Sequence, residues 1–403
     1  MSIHVPVRIG PAEQTLIDQL RAAGAEAAAE RLAATGLPTR KVESYHYTDL
    51  KMLLRAVPEP AGAHKALSEP ALRVAGAHRI PLSNGIADIS GTMPAGMHAS
   101  VSHGPALSER DDVLVRLNSA LTRDTLKLEI RSRATQVVHV DRRTEAAGAV
   151  HMNDSVHIFV ADGSKATVLE TFSGTDEPHL SNHASFIALG RDAELTHILL
   201  DLSGGRSTNL AVAEYQIGAG ARLRTLTIHI GSALSRMNLF AKFAGKGAAA
   251  DFTGLNLVTE GQHSDITLEA VHAVPRCGCK PLFKQVARGR STAAFQGKIV
   301  VARDAQKTDA KLMMQGLMLS DEAQILSKPE LEIFADDVVC GHGSTVGALN
   351  QDWMFYLRSR GIPAEEAESM LVRGFIEELL GPIEDEELHA SLEGVLENWL
   401  AGK

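Results

Sequence analysis

Residues 163–168 read Gly-Ser-Lys-Ala-Thr-Val. The frame Gly-x-x-Ala-x-apolar returns as Gly190-Arg-Asp-Ala193-Glu-Leu195, Gly218-Ala-Gly-Ala221-Arg-Leu223 and Gly245-Lys-Gly-Ala248-Ala-Ala250. The copies thus open at Gly163, Gly190, Gly218 and Gly245, a nearly constant interval. Each period holds short β-branched segments such as Val137–Val140, Val156–Val160 and Thr167–Glu170, broken by Gly, Asp and Asn, and no convincing helix. One such unit cannot bury its own apolar face, so successive units must stack. The glycine supplies a tight corner, the alanine a small inward position, and the next apolar residue fills the core. The pattern predicts a mainly β protein built on a β-solenoid or β-helix; a sandwich or jelly roll, whose short strands also recur at regular spacing, is the competing architecture.

Composition agrees with an aliphatic ladder. Hydrophobic residues make up 44% of the 403 residues, yet aromatics only 4%. The formal charge of −9 argues against a nucleic-acid binder, which needs a basic surface. Three cysteines are too few for a disulfide framework and suggest a reducing compartment. Met1–Gly10 lacks the charged-then-apolar pattern of a secretory signal. No apolar run approaches the length of a membrane-spanning helix, so the expectation is a cytoplasmic protein without membrane contact.

Helical periodicity flanks the repeat. Pro11–Leu32 reads as a helix, weakened at Gly24 and stopped by Gly36 and Pro38, and a short helix is expected at Leu50–Arg55. Val57–Pro105 is rich in Pro, Gly, Ala and Ser and reads as linker and irregular structure, with His98 and His103 solvated. Pro363–Leu380 and Glu384–Leu400 carry two strong apolar stripes and form a terminal helical hairpin. The expected divisions are a helical region at 1–60, linker and early irregular structure at 61–125, the β-helix at 126–347, and a helical domain at 348–403.

Reactive groups gather late in the chain. Lys328–Gly347, KPELEIFADDVVCGHGSTVG, leads strand-like through Leu331, Ile333 and Phe334 into Asp336, Asp337, Cys340 and His342, with Gly341, Gly343 and Gly347 between. A Cys-x-His pair binds soft or borderline metals through thiolate and imidazole. Adjacent carboxylates on a strand point to opposite faces, so Asp336 and Asp337 cannot act as an acid/base pair. Gln262–Lys284 interrupts the repeat with His263, His272, Cys277 and Cys279. From Cys277 to Cys340 the chain makes two and a third turns at the early period, which places them about 10 Å apart on different faces. Ligands of one zinc ion need sulfurs within about 4 Å. There is no P-loop, Rossmann fingerprint, nucleophile elbow or His-Glu-x-x-His helix, so no self-sufficient enzyme is visible.

FQGKIVVARDAQKTD (Phe295–Asp309), LMLSDEAQILSKPELEIFADDVVCGHGSTVG and FYLRSRGI resemble the SufB/SufD family of the SufB–SufC–SufD iron–sulfur cluster assembly complex. RKVESYHYTDL resembles that family's amino-terminal motif, with Tyr45 where Trp is more usual. The resemblance implies a right-handed parallel β-helix between amino- and carboxy-terminal helical regions. It implies a non-catalytic scaffold that pairs with SufB through the β-helix and with the SufC ATPase through the carboxy-terminal helices, where Phe375, Ile376, Leu379, Leu392 and Leu396 are the candidate contacts. A transient iron–sulfur cluster would form at the SufB junction, with ATP bound only by SufC; the isolated chain would hold no stable cofactor and could form a homodimer. The His of the family's Cys-Ser-His-Gly-Ala-Thr motif falls on His342 and its Cys on Cys340, with Gly341 in place of Ser and Ser344 in place of Ala. Cys277 and Cys279 are weaker candidates, Cys279 standing where relatives often carry Ser. The alternatives are a stand-alone metal-binding protein and a purely structural solenoid.

Overall fold

The computed structural model describes residues 8–62, 69–104, 108, 110–175 and 177–402. Residues 1–7, on which the absence of a secretory pattern rests, and residues 63–68 of the expected linker lie outside the described residues. The amino-terminal part holds α1 (Pro11–Ala22), α2 (Glu26–Thr35), α3 (Leu50–Leu53), β1 (His78–Ser83), β2 (Ile86–Ala87), β3 (Met97–His103) and α4 (Val113–Leu121). Eight coils follow, each with one strand in each of two sheets. They are β4 (Asp124–Ile130) with β5 (Val138–Thr144), β6 (Val150–Val160) with β7 (Lys165–Gly174), β8 (His179–Leu189) with β9 (Glu194–Asp201), and β10 (Thr208–Ile217) with β11 (Arg222–His229). Next come β12 (Leu234–Phe243) with β13 (Ala249–Val258), and β14 (His263–His272) with a rung split at Pro281 into β15 (Gly278–Cys279) and β16 (Leu282–Ala287). The stack ends in β17 (Thr292–Val301) with β18 (Asp309–Met318) and β19 (Gln324–Ile333) with β20 (Val339–Ala348). After it come α5 (Gln351–Ser359), α6 (Ala364–Ile376) and α7 (Glu386–Leu400). From β4 on every pairing between coils is parallel, as in a β-helix and unlike a sandwich.

The repeating glycine works by close approach. A Cβ on Gly218 would lie 2.5 Å from the Leu189 carbonyl oxygen, and one on Gly245 only 1.9 Å from the Ala219 nitrogen, so a side chain there would push neighbouring coils apart. Just after each of these glycines the chain turns through positive φ, at Asp192, Gly220 and Gly247, and Ala193, Ala221 and Ala248 then enter the core fully buried. The first copy is displaced. Register pairs Ala166 with Leu195, so Gly163 matches Asp192 rather than Gly190.

The main apolar cores among the described residues follow from strand alternation. Inward residues such as Val140, Leu195, Leu239 and Ile299 fill the lumen. Outward Leu180, Leu210, Val212 and Phe240 are covered by α1, α2 and α4. Outward Ile198, Ile228, Leu257 and Val286 are covered by α6 and α7. The lumen also encloses an ion network: Arg142 Nη1 meets Asp154 at 2.5 Å and its other nitrogen meets Glu170, which accepts from His197 at 2.8 Å. Burial would raise the Glu170 pKa, but Arg142 and His197 hold the carboxylate ionised, at about 2.

Differences from expectation have local causes. The first expected helix is two, because Gly24 adopts φ 75° between α1 and α2. The stretch read as irregular carries β1 and β3, which join the first coil: β1 parallel to β5, β3 antiparallel to β4, with β2 folded back antiparallel on β1. Their short alternation is interrupted by Pro81 and Gly85, which hides it. Gln262–Lys284 stays in the stack through β14, β15 and β16 instead of interrupting it. No helix among the described residues is long and apolar enough to cross a membrane.

Candidate functional site

The last coil sets the site. Among the described residues β20 pairs only with β18, and β19 only with β17, so both present a free edge. At the other end of the stack antiparallel β2 and β3 close the first coil. Apolar residues that another coil would cover stay open here: Ile333, Phe334, Val339 and Val346 are all exposed.

Cys340 and His342 are successive inward positions of β20, stacked on Ala310 and Leu312 of the coil below. The Cys340 side chain is half-buried against the lumen core, and burial raises its thiol pKa. His342 is exposed, with no hydrogen bond or ion pair among the described residues. Imidazole and partly covered thiol therefore share the inward side of the terminal strand, at the open end of the lumen. Gly343 lies on the outer face, where a Cβ would stand 2.9 Å from Met313 Cε.

Cys277 and Cys279 sit deep in the lumen, and burial raises both thiols, that of Cys279 strongly. They are core residues. Cys279, Ala310 and Cys340 occupy one ladder in successive coils, with Cys277 just ahead of β15, so the Cys277–Cys279 pair lies on the same sheet as Cys340 instead of on a different face. The reason is coil length. The steps from Cys279 to Ala310 and from Ala310 to Cys340 are each longer than the step from Gly190 to Gly218, so Cys279 to Cys340 makes two whole turns. Two rungs still separate the sulfurs' backbones by about 10 Å, too far for a shared ion. Among the described residues no group of three or more His, Cys, Asp or Glu is placed to hold a metal. Asp336 and Asp337 lie in the exposed bend before β20 instead of on a strand, where the Asp337 side chain pairs with Lys307 and its carbonyl accepts the Lys307 N–H at 2.6 Å.

The amino-terminal motif reaches the same end along the outer face. Tyr45 is buried beneath Arg236, whose guanidinium lies 4.1 Å from the ring centroid, and Tyr45 donates to Asp112 at 2.9 Å. Arg236 also pairs with Asp265 and donates to the Ser44 carbonyl at 2.5 Å. Thr48 donates to Asp265 at 2.5 Å, Lys328 of β19 pairs with Glu43, and the Tyr47 hydroxyl approaches the Ser327 carbonyl at 3.4 Å. The motif is thus a docking strip across β12, β14 and β19.

The proposed carboxy-terminal contacts need correction. Ile376, Leu379, Leu392 and Leu396 are buried against the outer face of the β-helix. Phe375 is partly covered and lies over Lys284, which donates to the Phe375 carbonyl at 2.5 Å. The two apolar stripes of this hairpin are consumed by the sheet itself. Besides Met370 of α6, the large exposed apolar side chains of the described carboxy-terminal helices belong to α5, which buries no residue: Trp353, Phe355 and Tyr356 are 64, 76 and 56% exposed. Three naked aromatics in an aromatic-poor chain mark this helix, and two of them, Phe355 and Tyr356, open the FYLRSRGI segment that carries the family resemblance.

Comparison with known proteins bears on this arrangement. Residues 142–375, more than half of the chain, match the family described as SUF system FeS cluster assembly, SufBD core domain. The chain is 28% identical over 380 residues to the iron–sulfur cluster assembly protein SufD of Escherichia coli, covering 89% of this chain and 88% of that one. It is 27% identical over 405 residues to an iron–sulfur cluster assembly SufBD family protein of Synechocystis, covering 92 and 88%. A SufBD family protein of Mycobacterium tuberculosis is 32% identical over 216 residues, covering 52 and 54%.

Proposed function

The chain belongs to the SufBD family of SUF-system iron–sulfur cluster assembly proteins, and from that premise we propose that it is a non-catalytic scaffold subunit whose open coil completes a cluster-building site with a partner. The partner is a SufB-type β-helix, and the cluster is cargo assembled at the junction. The observation that carries this reading is the terminal strand β20, with a free backbone edge and with Cys340 and His342 turned toward uncovered space. Two donors of this chemistry make an incomplete ligand set for iron, so the remaining ligands must come from across the junction. The reading includes iron acquisition there, with His342 as the leading donor and Cys340 as the second. Three free thiols suit a reducing, cytoplasmic setting.

A SufC-type ATPase would dock on the exposed aromatics of α5 rather than on the buried stripes of α6 and α7. Only Leu349 and Asn350 separate β20 from α5. Movement of α5 on nucleotide binding by that ATPase would therefore act on the strand that carries His342, while α6 and α7 stay bolted to the sheet. Coupling of this kind needs a two-state element, and a terminal coil held on one side supplies it.

The test is co-expression with the SufB- and SufC-type subunits, purification without oxygen, and absorption spectroscopy. His342→Ala should leave the complex assembled and remove cluster absorbance. Normal cluster yield from that variant would sink the proposal. Truncation after Gly361 should keep α5 and with it some ATPase binding, whereas truncation after Leu349 should remove it.

A further inference from the structure

The strand that carries His342 is loosely built. Gly341, Gly343 and Gly347 take three of the ten positions of β20, and glycine inside a strand gives up side-chain packing and adds backbone freedom. The ladder to β18 holds β20 from below, and a side-chain hydrogen bond ties it across the mouth of the lumen: Ser344 Oγ donates to Ser327 Oγ of β19 at 3.1 Å. Ser344 is the next inward position after His342, roughly 7 Å further along the strand. The tie therefore acts beside the imidazole.

The opposite wall is braced from outside. Ser327 also points inward, while Lys328 next to it points outward and pairs with Glu43 of the amino-terminal motif and with Glu330 at 3.1 Å. In β19 the Gln324 N–H bonds to the Ser291 carbonyl and the Phe334 N–H to the Val301 carbonyl, both at 2.9 Å. Even-numbered residues thus face β17, and the Ser327 carbonyl lies at the free edge, where the Tyr47 hydroxyl approaches it at 3.4 Å. Burial, with Asp265 and Glu330 nearby, raises the Tyr47 pKa, so the phenol stays a donor. The motif itself is fixed to inner coils: Thr48 donates to Asp265, and the Ser44 carbonyl accepts from Arg236 at 2.5 Å and from Gln296 of β17 at 3.3 Å. Ser327 is where this strap and the strand at the lumen mouth meet.

We infer that the amino-terminal strap positions His342 from across the coil, with Glu43, Tyr47, Lys328, Ser327 and Ser344 as positioning residues that act through it. The inference rests on the reading of His342 as the leading iron donor and supplies the device that holds it in place. A donor on a glycine-rich strand has freedom to wander, and functional groups need to be held to about 0.5 Å. The strap gives β19 a fixed seat, and the serine pair passes that reference to β20 through contiguous contacts. The motif thereby bears on the chemistry although Tyr47 stands 280 residues before Ser327.

The test uses the full chain, alone and in its co-expressed complex. Ser344→Ala cuts the tie, Ser344→Thr keeps a hydroxyl there, and Tyr47→Phe combined with Lys328→Met frees β19 from the strap. The His342 ring is followed by NMR of histidine-labelled protein, its resonance assigned by loss in His342→Ala, with thermal melts to certify folding. Each complex is purified without oxygen and its cluster yield read by absorption. Ser344→Ala and the strap variant should shift or broaden the His342 resonance and lower cluster yield by about twofold or more, with the complex still assembled. Ser344→Thr should restore both. Glu332→Gln breaks the Lys298 pair elsewhere on β19 and is the control; an equal effect there would overturn the assignment. An unmoved resonance in the tie and strap variants, or wild-type yield despite a moved one, would overturn the inference and leave the donor role of His342 standing. Normal yield from His342→Ala would remove that role and the inference with it.

Discussion

Arg236 shows how one buried cation organises an end of the molecule. It faces Asp265, lies over Tyr45 and holds the Ser44 carbonyl, all out of water. Removing one partner of a buried pair leaves an uncompensated charge, so Arg236→Ala should cost about 3–5 kcal/mol. Chemical denaturation measures that loss, and proteolysis of residues 40–50 should accelerate with it. Cys277 and Cys279 make the opposite prediction. Each is a packed, protonated thiol, so Cys277→Ala and Cys279→Ala should cost about 0.5–3 kcal/mol apiece and leave cluster yield unchanged. A loss of yield at wild-type stability would restore them as ligands. Neither the burial of the thiols nor the ladder joining Cys279 to Cys340 is legible in the spacing. The late coils are longer than the early ones, because the turn at 302–308 between β17 and β18 adds residues that the repeat does not announce, whereas Pro281 leaves the register unchanged.

At the level of elements, the β-strands announce themselves through the glycine and alanine of each corner. Those positions answer to coil-on-coil contact, which recurs identically and therefore leaves a periodic trace. The helices are harder. An apolar stripe states that a face is buried but not against what, and the stripes of α6 and α7 meet the sheet instead of a partner. Variants separate the two roles. Leu392→Ala removes a side chain buried against the β-helix and should cost about 2–5 kcal/mol. Phe355→Asp alters a side chain that touches little, so stability should stay within about 0.5 kcal/mol of wild type. Its binding to the ATPase subunit should nevertheless fall sharply in a pull-down or titration. Unchanged ATPase binding by Phe355→Asp would move the docking surface elsewhere. α5 is hard to read from sequence because QDWMFYLRS spans little more than two turns.

For the whole molecule, acid is the expected weakness. His139, His151 and His272 are buried, and burial lowers each to about 4. The unfolded chain takes up those protons near pH 6.5, whereas the folded chain refuses them until about pH 4. Stability is therefore fully present above about pH 6.5 and falls as the pH drops toward 4, by about 3 kcal/mol for each histidine. Urea denaturation at pH 7.5 and pH 5 should show the midpoint falling in acid, and His272→Phe should flatten the dependence. His272 is the sharpest probe because both ring nitrogens lack partners among the described residues and its ring stacks on Phe243 at 4.1 Å. A pH-independent midpoint would show that these residues are protonated in the folded state.

The uncapped eighth coil has a consequence for how the chain lives without company. A solenoid's stability is a sum over neighbours, and the last coil has a neighbour on one side only. Exposed Phe334, Val339 and Val346 beside an unguarded strand make that end a template for indiscriminate pairing. An orphaned copy would thus fray first where it is meant to be completed, becoming a substrate for proteases or a seed for aggregates. Subunit balance in the cell would then be policed by the same edge that recognises the partner.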